Sequence, residues 1–253
     1  MKIEEYIDTL PSDIISGEQI QLTVNSMQSI FDLVDLGSDD VFYHLGCGDG
    51  RGVRMAAEYG VKRSVGIDID MTRIETDAEE KSAVEFVHGD ILDADLSDAT
   101  VILFWFTDAG VVDKMMPKFK NLQDGCRIVT IWSPLPECLP SKVDFPYMVN
   151  ETPFPPAKSV RDQLLAVFGV DCIDFVTAWE YSERYIRAIE YPEAQNDRFL
   201  TILQSVTIWI NARNMGITCT EEMPESIRTY VGILRTFFGI EVEHLLEPPA
   251  SKK

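Results

Sequence analysis

Between residues 41 and 132 the chain alternates short apolar runs with longer stretches whose apolar residues recur at helical spacing. The runs at 41–45, 65–69, 84–88, 101–106 and 127–132 have the near-continuous hydrophobicity of strands covered on both faces. Between them the pattern predicts helices over 50–59, ended by Gly60, then a polar helix over 71–82, then another over 109–119. Residues 90–95 are expected to form a loop or a short helix. Strands separated by helical stretches pair in parallel through right-handed crossovers. Upstream, Ile20, Val24, Met27, Ile30, Phe31 and Val34 mark an amphipathic helix over 18–36 that Gly37 stops. Residues 1–17 read as a loose lead-in.

Downstream the character changes. Pro134, Pro136, Pro140, Pro146, Pro153, Pro155 and Pro156 crowd 133–157, a density that neither a helix nor a central strand tolerates. Beyond them come helix after helix. One spans 159–168 and ends at Gly169, and a second is capped by Asp171 and runs to about residue 190. A third spans 197–215 before Gly216, and a fourth starts at Thr220 and stops at Gly239. The fold expected is therefore α/β, a doubly wound Rossmann-like sheet in a domain at 1–157, followed by a helical appendage at 158–253.

The junction of the first strand with its helix reads VFYHLGCGDGRG, and the second strand ends in VGIDID. Three glycines, Gly46, Gly48 and Gly50, after a strand and before a helix, with an acid about 20 residues on, form the edge of a sheet that holds an adenosine. A dinucleotide loop needs G-x-G-x-x-G, and Arg51 occupies its sixth position. The spacing G-x-G-x-G instead resembles the nucleotide loop of S-adenosylmethionine-dependent methyltransferases. Asp68, with Asp70 as competitor, is placed to accept hydrogen bonds from ribose hydroxyls. Asp90, in VHGDI with Ile91 beside it, is placed either to accept from the adenine amine or to cap a helix. His88 reads as a surface strand residue.

A wider run sharpens this. DDVFYHLGCGDGR, VGIDID, VHGDILDADLSDATVILFWFTD and KFKNLQDGCRIVT together resemble the compact archaeal protein lysine methyltransferases and a related mitochondrial family acting on lysines of small membrane proteins. The resemblance covers residues 12–133. It implies a seven-stranded methyltransferase sheet finished by an antiparallel hairpin, to which 143–152 would contribute. It also implies S-adenosylmethionine as donor and lysine side chains as acceptors. The donor would be held by His44, Gly46, Gly48, Asp49, Gly50, Asp68, Asp90 and Ile91. His44 departs from the pattern, because the family's loop begins with an acid that helps hold the cofactor's amino group. A protonated imidazole there would repel the donor's ammonium and sulfonium charges, whereas a neutral one accepts a hydrogen bond.

Methyl transfer from a sulfonium is an in-line displacement, so the enzyme mainly positions donor and nucleophile. An amine must first be neutral, and desolvation beside aromatic rings favours that form. Phe104, Trp105 and Phe106 stand at the fourth strand's end. Trp105 and Phe106 are the candidates to line the acceptor channel, against a core role, and Asp108 is the candidate acceptor contact, against a helix cap. The D/N-P-P-Y/F/W signature of base methyltransferases is absent here.

Formal charge adds to this picture. A net charge of −20 disfavours a nucleic-acid partner and suits a basic protein substrate, although solubility alone would also account for it. The N-terminus MKIEEYIDTL has no secretory pattern, and no apolar run is long enough to span a membrane. Five cysteines without a C-x-x-C pair read as reduced thiols, and the expected compartment is the cytoplasm. The reading is a methyltransferase acting on protein lysines. Its alternatives are a small-molecule methyltransferase with a helical lid and a cofactor-binding scaffold. The appendage is expected to pack on the core or on a second copy.

Overall fold

The computed structural model describes residue 2 and residues 21–74, 82–106, 108–190 and 197–246. The chain divides into two compact units, one running Thr23–Gly169 and the other uniting Met1–Leu22 with Val170–Lys253.

The first unit opens with helix α1, Val24–Leu33, capped by Thr23, whose hydroxyl accepts from the Ser26 amide. Five parallel strands and two helices follow: β1 (Val41–Leu45), α2 (Arg51–Glu58), β2 (Arg63–Asp68), β3 (Val84–His88), β4 (Val101–Phe104), α3 (Ala109–Lys120) and β5 (Arg127–Ile131). A hairpin of β6 (Lys142–Asp144) and β7 (Tyr147–Glu151) and helix α4 (Val160–Phe168) complete it. The sheet order is β3-β2-β1-β4-β5-β7-β6, parallel throughout except that β7 runs antiparallel to both its neighbours. This is the expected seven-stranded sheet, with the hairpin in place.

The sequence patterning explains the layering. β1 and β4 are buried at every position, as central strands covered on both faces must be, while the edge strand β3 is only partly covered. Ile102, Phe104, Met115, Phe119 and Ile128 fill one side of the sheet, and Ile30, Phe31, Phe42, Val53 and Ala56 are likewise wholly enclosed.

Several boundaries differ from expectation. The strand predicted to reach residue 106 ends at Phe104, and α1 begins at Val24, after a two-residue strand at Gln21–Leu22. Most of the helix predicted over 71–82 lies outside the described residues, as does the lead-in apart from Lys2. The hairpin was only half legible because the prolines sit in its turn and flanks: Pro146 joins β6 to β7, while Pro153, Pro155 and Pro156 follow β7.

In the second unit Gln21–Leu22 pairs antiparallel with Ile189–Glu190. Helices α5 (Phe175–Ala188), α6 (Asp197–Asn214) and α7 (Glu225–Phe238) pack around Ala178, Val206, Trp209, Ile210, Ile227 and Leu234. Tyr230 stacks on both Phe175 and Trp179, with centroids 5.2 and 5.4 Å away. The cap of α5 is Asp174 rather than Asp171, and Pro224 rather than Thr220 precedes α7. Cys172 and Cys219 form a disulfide, correcting the reading of all five thiols as reduced; Cys47, Cys126 and Cys138 are free and buried. Their pairing was invisible in the sequence because it depends on the backbone bonds from Ile173 N–H to the Ile217 carbonyl and from Cys219 N–H to the Ile173 carbonyl.

Candidate active site

The strand order reverses direction at β1, which lies between β2 and β4, so a crevice opens at the carboxyl ends of these strands. The loop 46–50 turns there. Gly46 N–H donates to the Ile67 carbonyl at 2.8 Å, and Gly48 N–H donates to Asp68 Oδ2 at 2.8 Å. Asp68 Oδ1 accepts from the Asp70 amide at 2.9 Å. Asp68 thus fixes the loop and its own turn with one lone pair on each oxygen, and each oxygen keeps further acceptor capacity. Asp70 is turned away from this role: its Oδ1 accepts from Thr72 N–H and hydroxyl at 2.9 and 2.6 Å.

All three loop glycines have positive φ. Gly50 is the most constrained, at φ 78°, where a Cβ would also lie 2.6 Å from the Phe86 ring. Asp49 is committed to Arg51, accepting from its backbone N–H at 3.0 Å and its Nε at 2.9 Å. Arg54 donates to the Asp49 carbonyl and lies over Phe86, 5.1 Å from the ring centre.

His44, at the family's acid position, is buried, and its Nδ1 has no hydrogen-bond partner. Burial pushes its pKa down to about 4, against the opposing pull of Asp68 and Asp49. The ring is therefore neutral near pH 7, and the repulsion that a protonated imidazole would impose does not arise. The backbone-lined loop and the acceptor oxygens of Asp68 fit a donor with ribose hydroxyls, and the His44 ring, its Nδ1 facing Gly52, adds no positive charge beneath the donor's ammonium group.

On the β3 side, Asp90 is exposed and its Oδ1 accepts from the Leu92 amide at 2.8 Å, while Ile91 is buried in the core cluster. His88 Nε2 lies 3.0 Å from the Ile69 carbonyl. Ile69, which follows Asp68 directly, is 72% exposed. The sequence pattern took it for the strand's last residue, whereas the strand stops at Asp68.

On the β4 side, Phe106 stacks on Phe104 at 5.0 Å and lies 3.0 Å from where a Gly46 Cβ would be, so it closes over the loop. Trp105 is half-buried. Asp108 caps α3, its Oδ1 accepting from the Val111 amide at 2.9 Å. The structure brings His44, Gly46, Gly48, Asp68 and Phe106 to one edge, while Ile91 turns into the core.

A seven-stranded sheet of this order, with a glycine loop hung on an acid at the end of β2, defines a class I methyltransferase. Comparison with known proteins narrows this. A family model described as the ANTKMT methyltransferase domain matches residues 44–142. A protein-lysine N-methyltransferase of Saccharolobus islandicus is 34% identical over 112 residues, covering 41% of this chain and 69% of its own. An RNA methyltransferase from Salinibacter ruber, solved with S-adenosyl-L-homocysteine, is 30% identical with a TM-score of 0.49, over 55% of this chain and 98% of its own. The chain belongs to the same methyltransferase family as the Saccharolobus enzyme.

Proposed function

We propose that this methyltransferase transfers the methyl group of S-adenosylmethionine to lysine side chains of basic proteins. The observation that carries the donor site is the pinning of Gly48 N–H by Asp68 beside a buried, neutral His44. The lysine acceptor is supported by kinship with an enzyme named for that reaction.

When bound, the sulfonium cofactor supplies an electrophilic methyl group. Asp68 accepts from the ribose hydroxyls with the lone pairs left over from Gly48 and Asp70. Asp90 accepts from the adenine amine, with the exposed Ile69 offering an apolar face to the base and Ile91 anchoring the turn in the core. Gly46, Gly48 and Gly50 let backbone rather than side chains meet the ligand. His44, buried and neutral, places no positive charge beneath the amino group, and Asp49 adds negative charge beside it. Phe106 and Trp105 exclude water where the acceptor amine arrives, which favours the neutral nucleophile. Asp108, which caps α3 through its Oδ1, is the acidic residue assigned to the acceptor side.

The test is incubation of the full chain with isotopically labelled S-adenosylmethionine and unfractionated histones, followed by peptide mass mapping. Label on lysine Nζ is expected. Label only on small molecules would contradict the acceptor class.

A further inference from the structure

We propose that Trp132 forms the far wall of the acceptor channel and sets the enzyme's preference for a long alkyl amine; this rests on the lysine reading above. Three observations converge on it. Trp132 follows β5 directly and has φ 78°, the left-handed region that bulky side chains avoid. A turn alone would be made with less strain by glycine or asparagine, so a tryptophan held there marks a side chain whose position matters. The backbone is held by Trp132 N–H donating to the Pro146 carbonyl at 2.8 Å.

The second observation is register. Leu103 pairs with Val129 in the parallel β4–β5 ladder, so the segments leaving these two strands, with Phe106 two residues past β4 and Trp132 one past β5, issue from neighbouring strand ends. Phe106 is the ring that covers the Gly46 loop. Adjacent parallel strands lie about 4.8 Å apart, so both aromatic residues leave the sheet at the same carboxyl edge. The third is support from behind. The indole lies 5.7 Å from Phe145 in the hairpin turn, which in turn lies 5.2 Å from Phe168 at the end of α4. Trp132 is only half-buried.

A half-buried aromatic residue at the same edge as Phe106 suits the methylenes of lysine and lowers the dielectric around its amine. The arrangement makes Trp132 a specificity-determining residue that acts on acceptor binding and leaves the donor site untouched.

The experiment compares wild type with Trp132→Leu and Trp132→Phe, using unfractionated histones as acceptor and S-adenosylhomocysteine calorimetry as the donor readout. Donor affinity is expected to stay within about twofold of wild type in both, while Trp132→Leu loses roughly tenfold in kcat/KM, mainly through acceptor KM. Trp132→Phe is expected to recover most of that loss. Unchanged acceptor kinetics in Trp132→Leu, or a loss that tracks donor affinity, would overturn the proposal and leave the lysine reading standing. Absence of lysine methylation in the wild type would overturn the lysine reading, and this inference with it. Should Trp132→Leu fail to fold, Trp132→Met takes its place, with the same rise in acceptor KM expected and an unchanged KM overturning the proposal.

Discussion

His44 sits where relatives place an acid, and its environment decides what that exchange means. The folded pKa, pushed down to about 4, lies below the ordinary value of 6.5. Above the unfolded value both states are neutral and the residue adds no pH dependence. Between 6.5 and 4 the unfolded chain binds a proton that the folded chain refuses, so stability falls as pH falls through that window. The full loss is on the order of 3 kcal/mol. Urea unfolding at stepped pH should show this component in wild type and lack it in His44→Asn; equal pH slopes in both would contradict the buried, neutral ring. A second expectation concerns Gly50. Gly50→Ala forces a side chain into the left-handed region against Phe86 and should cost about 2 kcal/mol, read as a lowered thermal midpoint. The sequence showed the glycines and the acid of the proposed donor site plainly, because backbone approach and acceptor chemistry each restrict the residue type. It did not show that His44 would be buried, since one position says nothing about what packs over it.

At the opposite ends of the strands, one carboxylate ties four elements together. Asp40, just before β1, accepts from the Thr100 hydroxyl at 2.7 Å before β4 and from Gly37 N–H at 2.9 Å after α1. It also pairs with Arg127 at the start of β5, whose guanidinium reaches the Val34 carbonyl at the end of α1. Asp40→Asn removes the charge from a largely buried pair and should cost about 3 kcal/mol in urea unfolding. Donor affinity of the folded fraction should be unchanged, because this knot lies at the amino edge; a parallel loss of donor binding would contradict that separation. Element patterning was legible where burial was two-sided, as in β1 and β4. It overran at Trp105 and Phe106, since apolar residues directly after a buried strand look like its continuation. It also blurred across 133–157, where the prolines occupy the turn and flanks of a hairpin whose strands are short.

For the molecule as a whole, the charge of −20 becomes a kinetic statement once the acceptor is basic. Acceptor KM should rise as salt is raised from low to physiological ionic strength, where the screening length shortens to about 8 Å. An acceptor KM that ignores salt would remove the surface field from the account. The second unit carries its own stabiliser, the Cys172–Cys219 bridge, which spans 47 residues and encloses α5 and α6. Among the described residues no helix is long and apolar enough to cross a membrane. The claim on which the rest depends is that the loop after β1 and the acid after β2 hold the methyl donor. Isothermal calorimetry of the full chain with S-adenosylhomocysteine, repeated on Asp68→Ala, tests it. Saturable binding to wild type and a loss of roughly tenfold or more in the variant are predicted. No heat of binding in wild type, or equal affinity in the two, would contradict it.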